Sequence, residues 1–108
     1  MITYIGTVQD GLKVVVEEDG GKKDLPLRLD LANHSPTGFS WGYGGSGPSQ
    51  LSLAILAYQT SDQEALKYYQ YFKWDKIALI PQNQDWVITD TMVIDFLARH
   101  RQLIGPWI

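Results

Sequence analysis

The chain opens with two runs rich in Ile, Val, Thr and Tyr, residues 2–8 and 12–18, parted by Gln9, Asp10 and Gly11. β-branched and aromatic runs bounded by turn residues predict paired strands, and Asp-Gly readily supplies the positive φ angles of a tight hairpin turn. A second turn signal, Asp19-Gly20-Gly21, leads into Leu25, Leu27, Leu29 and Leu31, which alternate with Pro26, Arg28 and Asp30. That period of two predicts a third strand with one apolar and one wet face. Pro26 has no N–H to give a ladder, so the strand belongs at an edge.

The pattern then lapses. Residues 32–47 carry Asn, Ser, Pro and Thr and then five glycines with aromatics interleaved, a loop longer than compact domains usually tolerate unless it is functional or disordered. The aromatics favour an ordered, packed loop. From residue 48 to 59 the chain reads as helix, with Pro48 at the first helical position, where its missing N–H costs nothing. Leu51, Leu53, Ala54, Ile55, Leu56, Ala57 and Tyr58 leave almost no polar face, and a helix apolar all round is a buried one. Ser61 followed by Glu64 is a capping box. It opens a second helix through Ala65, Leu66, Tyr69 and Phe72, expected to run on to Ile80 and stop at Pro81, with a strand over 74–80 as the alternative. Trp86, Val87 and Ile88 suggest a short strand. Thr89 or Asp90 caps a last helix with Met92, Val93, Phe96, Leu97 and Leu103 inward.

These elements predict an α+β fold: an antiparallel sheet of three to four strands packed on about three helices, one central and buried. The 108 residues fit one domain spanning 1–108, large enough to bury roughly 65% of its unfolded surface. With no cysteine, disulfides, thiol nucleophiles and Cys-built metal sites are excluded. The net charge of -3 argues against general nucleic-acid binding, which rests on Lys and Arg neutralising phosphates. Lys22 with Lys23, and Arg99 with His100 and Arg101, read as a hairpin tip and a solvated helix end. Asp62, Glu64, Glu17, Glu18 and Asp19 read as capping and turn charges. No apolar run approaches a bilayer span and no leader pattern stands at the N-terminus, so a cytoplasmic location is the default expectation. His34 and His100 are the only histidines, without carboxylates at ligand spacing, so no metal and no cofactor is expected.

Two motif matches fail on context. Gly42-Tyr43-Gly44-Gly45-Ser46-Gly47 fits G-x-G-x-x-G, but antiparallel hairpins precede it and no parallel strand follows, as a dinucleotide fold requires. No Lys-Ser or Lys-Thr follows the glycines, which excludes a Walker phosphate loop. Gly38-Phe39-Ser40-Trp41-Gly42 fits the nucleophile elbow, yet no acid and then histidine are suitably placed in so short a chain.

What survives is a glycine-rich turn delivering the chain onto the N-terminus of a buried helix. The first four N–H groups there lack intrahelical partners and need acceptors. Ser46, a loop carbonyl or Asp30 would supply them in a purely structural loop. In a binding site an external anion does so, and the amides of Ser49, Gln50 and Leu51 face it. Phe39, Trp41 and Tyr43 either close the core as a short strand or offer a stacking platform for a flat ligand. His34 either ties the loop down or serves as a general base.

The run Asn33-His34-Ser35-Pro36-Thr37-Gly38-Phe39-Ser40-Trp41-Gly42-Tyr43-Gly44-Gly45-Ser46-Gly47-Pro48, followed by Gln50-Leu51 and Leu53-Ala54-Ile55-Leu56, resembles the signature of a family of small bacterial, archaeal and phage proteins of unknown function. The likeness continues more loosely through Tyr69, Phe72, Lys73, Ile80-Pro81, Trp86 and Ile88-Thr89. The resemblance implies a stand-alone domain among mobile-element and accessory genes, with a role in phage-host or defence-related interaction. The leading expectation is a non-catalytic module that binds a nucleotide-like anion, or an acidic group of a partner such as a host protein. His34, Trp41, Tyr43, Gly44, Gly45, Ser46, Gly47 and Ser49 are the ligand-binding candidates. The alternatives are a small enzyme acting on a phosphorylated or nucleotide substrate, with His34 as acid or base, and a structural protein-protein interaction domain. Oligomeric state, and whether Trp107 and Ile108 pack on this chain or on another copy, stay open.

Overall fold

The computed structural model describes residues 1–104, with side chains through Arg101. Leu103, as an inward side chain, and Trp107 and Ile108 lie outside the described residues. The fold is α+β: a four-stranded antiparallel sheet and three helices.

Strands β1 (Ile2–Thr7) and β2 (Lys13–Glu18) form the first hairpin, with Tyr4 opposite Val16 and Gly6 opposite Val14. The expected turns are present: Asp10 and Gly11, and then Asp19 and Gly20, all have positive φ. The third strand is displaced from its expected place. β3 is Gly21–Asp24, so Lys22 and Lys23 belong to a strand and not to a hairpin tip, and residues 25–31 form no strand. Leu25 donates one last hydrogen bond to Val14 O. Then Pro26 offers no N–H, Arg28 takes φ 57°, and Leu31 N closes a turn onto Arg28 O. Leucine periodicity mimicked a strand that this backbone could not continue.

β4 (Trp86–Thr89) pairs with β1, which gives the order β3-β2-β1-β4. The inner face presents Tyr4, Val14, Val16, Trp86 and Ile88 to the helices, all buried. Helix α1 (Ser46–Gln59) is buried continuously from Gly47 to Ala57, as its apolar circumference demands. It packs against α2 (Asp62–Asp75) and against the sheet, where the Tyr4 hydroxyl donates to Ile55 O and Gln59 Oε1. Burial keeps that phenol protonated, raising its pKa well above the ordinary tyrosine value.

Ser61 caps α2 by accepting from Glu64 N at 3.2 Å. The helix stops at Asp75 instead of Ile80, because the backbone breaks at Lys76 (φ -127°) and re-forms as a single 3-10 turn, Ile77–Leu79. The break buries Ile77 in the core and turns Leu79 outward. Helix α3 (Asp90–Ile104) starts under a hydrogen bond from Met92 N to Thr89 Oγ1. Val93, Phe96 and Leu97 point inward as expected, but Met92 is exposed. It stands one turn before Phe96 but about a quarter turn from the centre of the buried Val93-Phe96-Leu97 stripe, and so lies at the margin of the inner face. Among the described residues no helix is long and apolar enough to cross a membrane.

Candidate functional site

Residues 25–45 contain no regular element, and their backbone is held by a few long-range bonds. The chief of these is made by Gln50. This fully buried residue spends its whole carboxamide on the loop: Oε1 accepts from His34 N (2.8 Å) and Ser35 N (3.1 Å), and Nε2 donates to Leu27 O (2.6 Å) and Ala32 O (3.0 Å). One side chain thereby satisfies two donors and two acceptors in a segment that has no ladder to satisfy them. Arg28 adds a fork, bonding Asp30 through Nε and a terminal nitrogen (both 3.0 Å) and reaching Asp62 at the start of α2 (3.1 Å).

Farther along, the loop lies on α2. His34 Nε2 meets the Tyr69 hydroxyl at 2.8 Å, and Lys73 Nζ donates to Gly44 O at 3.0 Å. Tyr69 and Lys73 are four residues apart, so the two contacts fall one turn from each other on one helical face. Gly42 N donates to Ile77 O at 3.1 Å, which pins the loop to the 3-10 turn as well. Gly42 has φ 88°, and a Cβ there would come within 2.7 Å of Ile80 O, so only glycine fits that crossing. At Gly44 and Gly45 the constraint is close approach: the Trp74 indole rests on the first and the Tyr43 ring on the second.

The aromatics divide. Trp41 is 1% exposed and meets Trp86 edge-on at 5.5 Å, so it closes the core and is no stacking platform. Phe39 is half-buried against the same core. Neither belongs to a strand, and the short strand expected through Phe39, Trp41 and Tyr43 does not form, because backbone bonds go to Ile77 and Gln82 instead of a neighbouring strand. Tyr43 is 45% exposed, and its hydroxyl lies 3.0 Å from Ser40 Oγ.

Helix α1 begins two residues earlier than the sequence suggests. Gly45 is its N-cap and Pro48 the third helical residue, not the first. The position still costs no hydrogen bond, since the third N–H of a helix is unpartnered anyway. Ser49 N donates to Gly45 O at 3.1 Å and Ser49 is buried, so Ser49, Gln50 and Leu51 lie within the helix and do not offer amides outward. The unspent donors are those of Gly45, Ser46 and Gly47, of which Gly47 is buried beneath the Ser40 side chain, so that Gly45 and Ser46 are the two nearer the surface. Among the described residues they meet no acceptor: no side chain caps the helix and no acidic residue stands in its first turn. Neither Ser46 nor Asp30, the internal acceptors the sequence offered, fills the role; Asp30 is bound to Arg28, which holds its carboxyl below the usual range. Ser46 is exposed.

Lys73 makes the electrostatics of this end unusual. It is 6% exposed, and among the described residues its ammonium has no carboxylate within ion-pair distance. Its partners are Gly44 O and the face of Trp74, 4.6 Å from the ring centre. Because the peptide is trans and planar, a Gly44 carbonyl drawn toward Lys73 turns the Gly45 N–H the opposite way. Lys73 therefore sets the direction of the first free amide and adds unneutralised positive charge to the helix end, where the backbone already carries a partial one.

The structure thus gathers Tyr43, Gly44, Gly45, Ser46 and Gly47 at one place, puts Trp41 and Ser49 inside, and sets His34 a helical turn away. Among the described residues no cluster of His, Asp and Glu able to hold a metal ion occurs. Three residues outside the sequence-derived set matter here. Gln50 carried a signal, being the one long polar side chain in the buried run Gly47–Ala57 of α1. Lys73 entered only through the looser family likeness and Trp74 not at all, since it is the packing of α2 that brings them under the glycines.

A protein-family model described as a family of unknown function matches residues 4–99. No curated protein and no solved structure matches the chain.

Proposed function

Because the chain belongs to that family, DUF6166, whose description assigns no chemistry, we propose a function from the geometry alone: a non-catalytic module that binds an anionic group at the N-terminus of α1. The carrying observation is the pair of amides nearer the surface, on Gly45 and Ser46, without an acceptor among the described residues, beside a buried lysine without a carboxylate in ion-pair range. Helix N-termini bind phosphates and carboxylates for this reason. The ligand is a nucleotide-like molecule or a partner's acidic group. Tyr43 and Trp74, which flank the glycines and are both exposed, offer aromatic surface to a flat substituent. His34 serves as a tether in this reading: its ring nitrogen is engaged by Tyr69 and its backbone by Gln50. The reading extends to a cytoplasmic accessory protein of phage or mobile-element origin, on the strength of the N-H-S-P-T-G-F and W-G-Y-G-G-S-G-P blocks.

Inorganic phosphate and a panel of mononucleotides, titrated into labelled protein, test this. The amide resonances of Gly45 and Ser46 shift first, and Lys73→Met, which keeps the aliphatic stem, weakens binding about tenfold, or about 1.4 kcal/mol. A panel that moves none of these resonances and raises no melting temperature refutes the small-molecule form. An acidic peptide that also leaves them unmoved refutes the reading altogether.

A further inference from the structure

Among the described residues only three Phe, Tyr or Trp side chains are exposed, Tyr43, Tyr71 and Trp74, and they lie together. The Tyr43 ring rests on Gly45 and the Trp74 indole on Gly44. Tyr71 precedes Trp74 by three residues on α2, a spacing that makes the two side chains neighbours on one helical face. Rings of this size ordinarily go to a core or an interface. After its first turn α2 exposes only Leu66, Lys67, Tyr71 and Trp74. The outer stripe of a helix is ordinarily polar and charged, yet this one has two rings, a leucine, a lysine and no carboxylate.

The cations on this side outnumber the carboxylates that reach them. Lys67 stands one turn before Tyr71, and among the described residues neither Lys67 nor Lys73 has a carboxylate within ion-pair distance. At the end of α2 a single carboxylate, Asp75, serves both Lys76 (3.8 Å) and Arg99 (3.5 Å). The chain as a whole carries a net charge of -3, so the surplus of positive charge beside the exposed rings is local.

Unpaired cations set among exposed rings call for an occupant that repeats an anion and a flat group. An acidic peptide supplies the anions without the rings. A single-stranded nucleic acid supplies a phosphate and an unstacked base at every step, the pattern that ring-and-cation surfaces hold. We propose that the ligand of the α1 site is a short single-stranded polynucleotide, with one phosphate on the Gly45 and Ser46 amides, successive bases on Trp74 and Tyr71, and a further phosphate at Lys67. From Trp74 to Lys67 the row runs about 10 Å along the helix, enough for two or three nucleotides at roughly 3.4 Å per stacked step. The first phosphate is the anion of the proposed function, so the inference rests on that reading; the bases and the second phosphate lie beyond it.

The test titrates 5′-phosphorylated thymidine and uridine tetranucleotides, each against its own mononucleoside monophosphate, into labelled full-length protein, with hexaglutamate and a short DNA duplex as controls. The tetranucleotides bind more tightly than the monophosphates by about fivefold or more, the effect of stacking one base. They shift the amides of Lys67 and Tyr71 and the Trp74 indole together with Gly45 and Ser46. Their affinity falls with salt at a slope of about 0.7 for each phosphate held. Tyr71→Ser, at an exposed position, keeps the melting temperature and weakens the tetranucleotides about fivefold or more, and Lys67→Gln lowers the salt slope by about 0.7. The tighter of the two strands identifies DNA or RNA as the source. Tetranucleotides no tighter than the monophosphates overturn the proposal and leave the anion site standing; no binding by either at millimolar concentration overturns both. Hexaglutamate binding equally well through the same resonances, a duplex binding better than the single strands, or unchanged affinity in Tyr71→Ser also overturns the proposal.

Discussion

Replacing Gln50 with Met removes the tie that holds the loop while keeping an unbranched side chain of similar length in the buried slot. Four backbone groups lose partners at once: the N–H groups of His34 and Ser35 and the carbonyls of Leu27 and Ala32. At about 1 kcal/mol net for each bond the upper figure is about 4 kcal/mol. Relaxation of the loop into water returns part of that, since these bonds are only partly buried, so a loss of about 2–4 kcal/mol is expected. For a domain of this size that lowers Tm by roughly 10–25 °C. Urea unfolding at pH 7 gives the free energy, with the slope unchanged if only the native state is affected. Hydrogen exchange localises it: the amides of His34 and Ser35 exchange at least tenfold faster relative to those of β1 and β2. A stability loss below about 1 kcal/mol, with those two amides still protected, refutes the claim that Gln50 holds the loop.

Two further outcomes follow from the packing and the charges. In Gly6→Ala the new Cβ falls 2.2 Å from the Trp86 indole, which is itself packed edge-on against Trp41. Urea unfolding should show a loss of about 1–3 kcal/mol, partly restored when Trp86→Phe is added; additive effects of the two changes would refute the contact. For Asp90, the Ile2 N–H holds the carboxyl below its usual range. Its folded pKa therefore lies below the unfolded one, and its stabilisation is full above about pH 4 and fades as pH falls through the folded value. Asp90→Asn should lower the urea midpoint relative to wild type at pH 7 and less so at pH 3; a gap that does not change with pH would refute the assignment.

Much of the fold was legible because local signals agreed with the global arrangement. The Asp-Gly turns, the Ser61 cap and the apolar circumference of α1 each state a local preference that the tertiary structure keeps. The failures share a cause. Leu25 to Leu31 has strand periodicity but needs a neighbour to pair with, and Pro26 and Arg28 turn the backbone off the sheet edge. The stretch after Asp75 has helical periodicity, yet burying Ile77 under the glycine loop requires the helix to break at Lys76. The candidate site was half legible. A glycine run entering a buried helix declares an end with unspent amides, but which aromatics face solvent depends on packing, and Trp41 went inside while Tyr43 stayed out.

By itself, then, the sequence determined the hairpins, the three helices, the central place of α1 and the location of the unusual loop, because turn geometry, capping and hydrophobic periodicity act over a few residues. Only the tertiary structure decided where β3 ends, that Gln50 carries the loop, that Lys73 and Trp74 lie beneath Gly44, and that the exposed aromatics gather beside the glycines. Those are contacts between segments tens of residues apart, set by which surfaces bury one another and not by any local pattern.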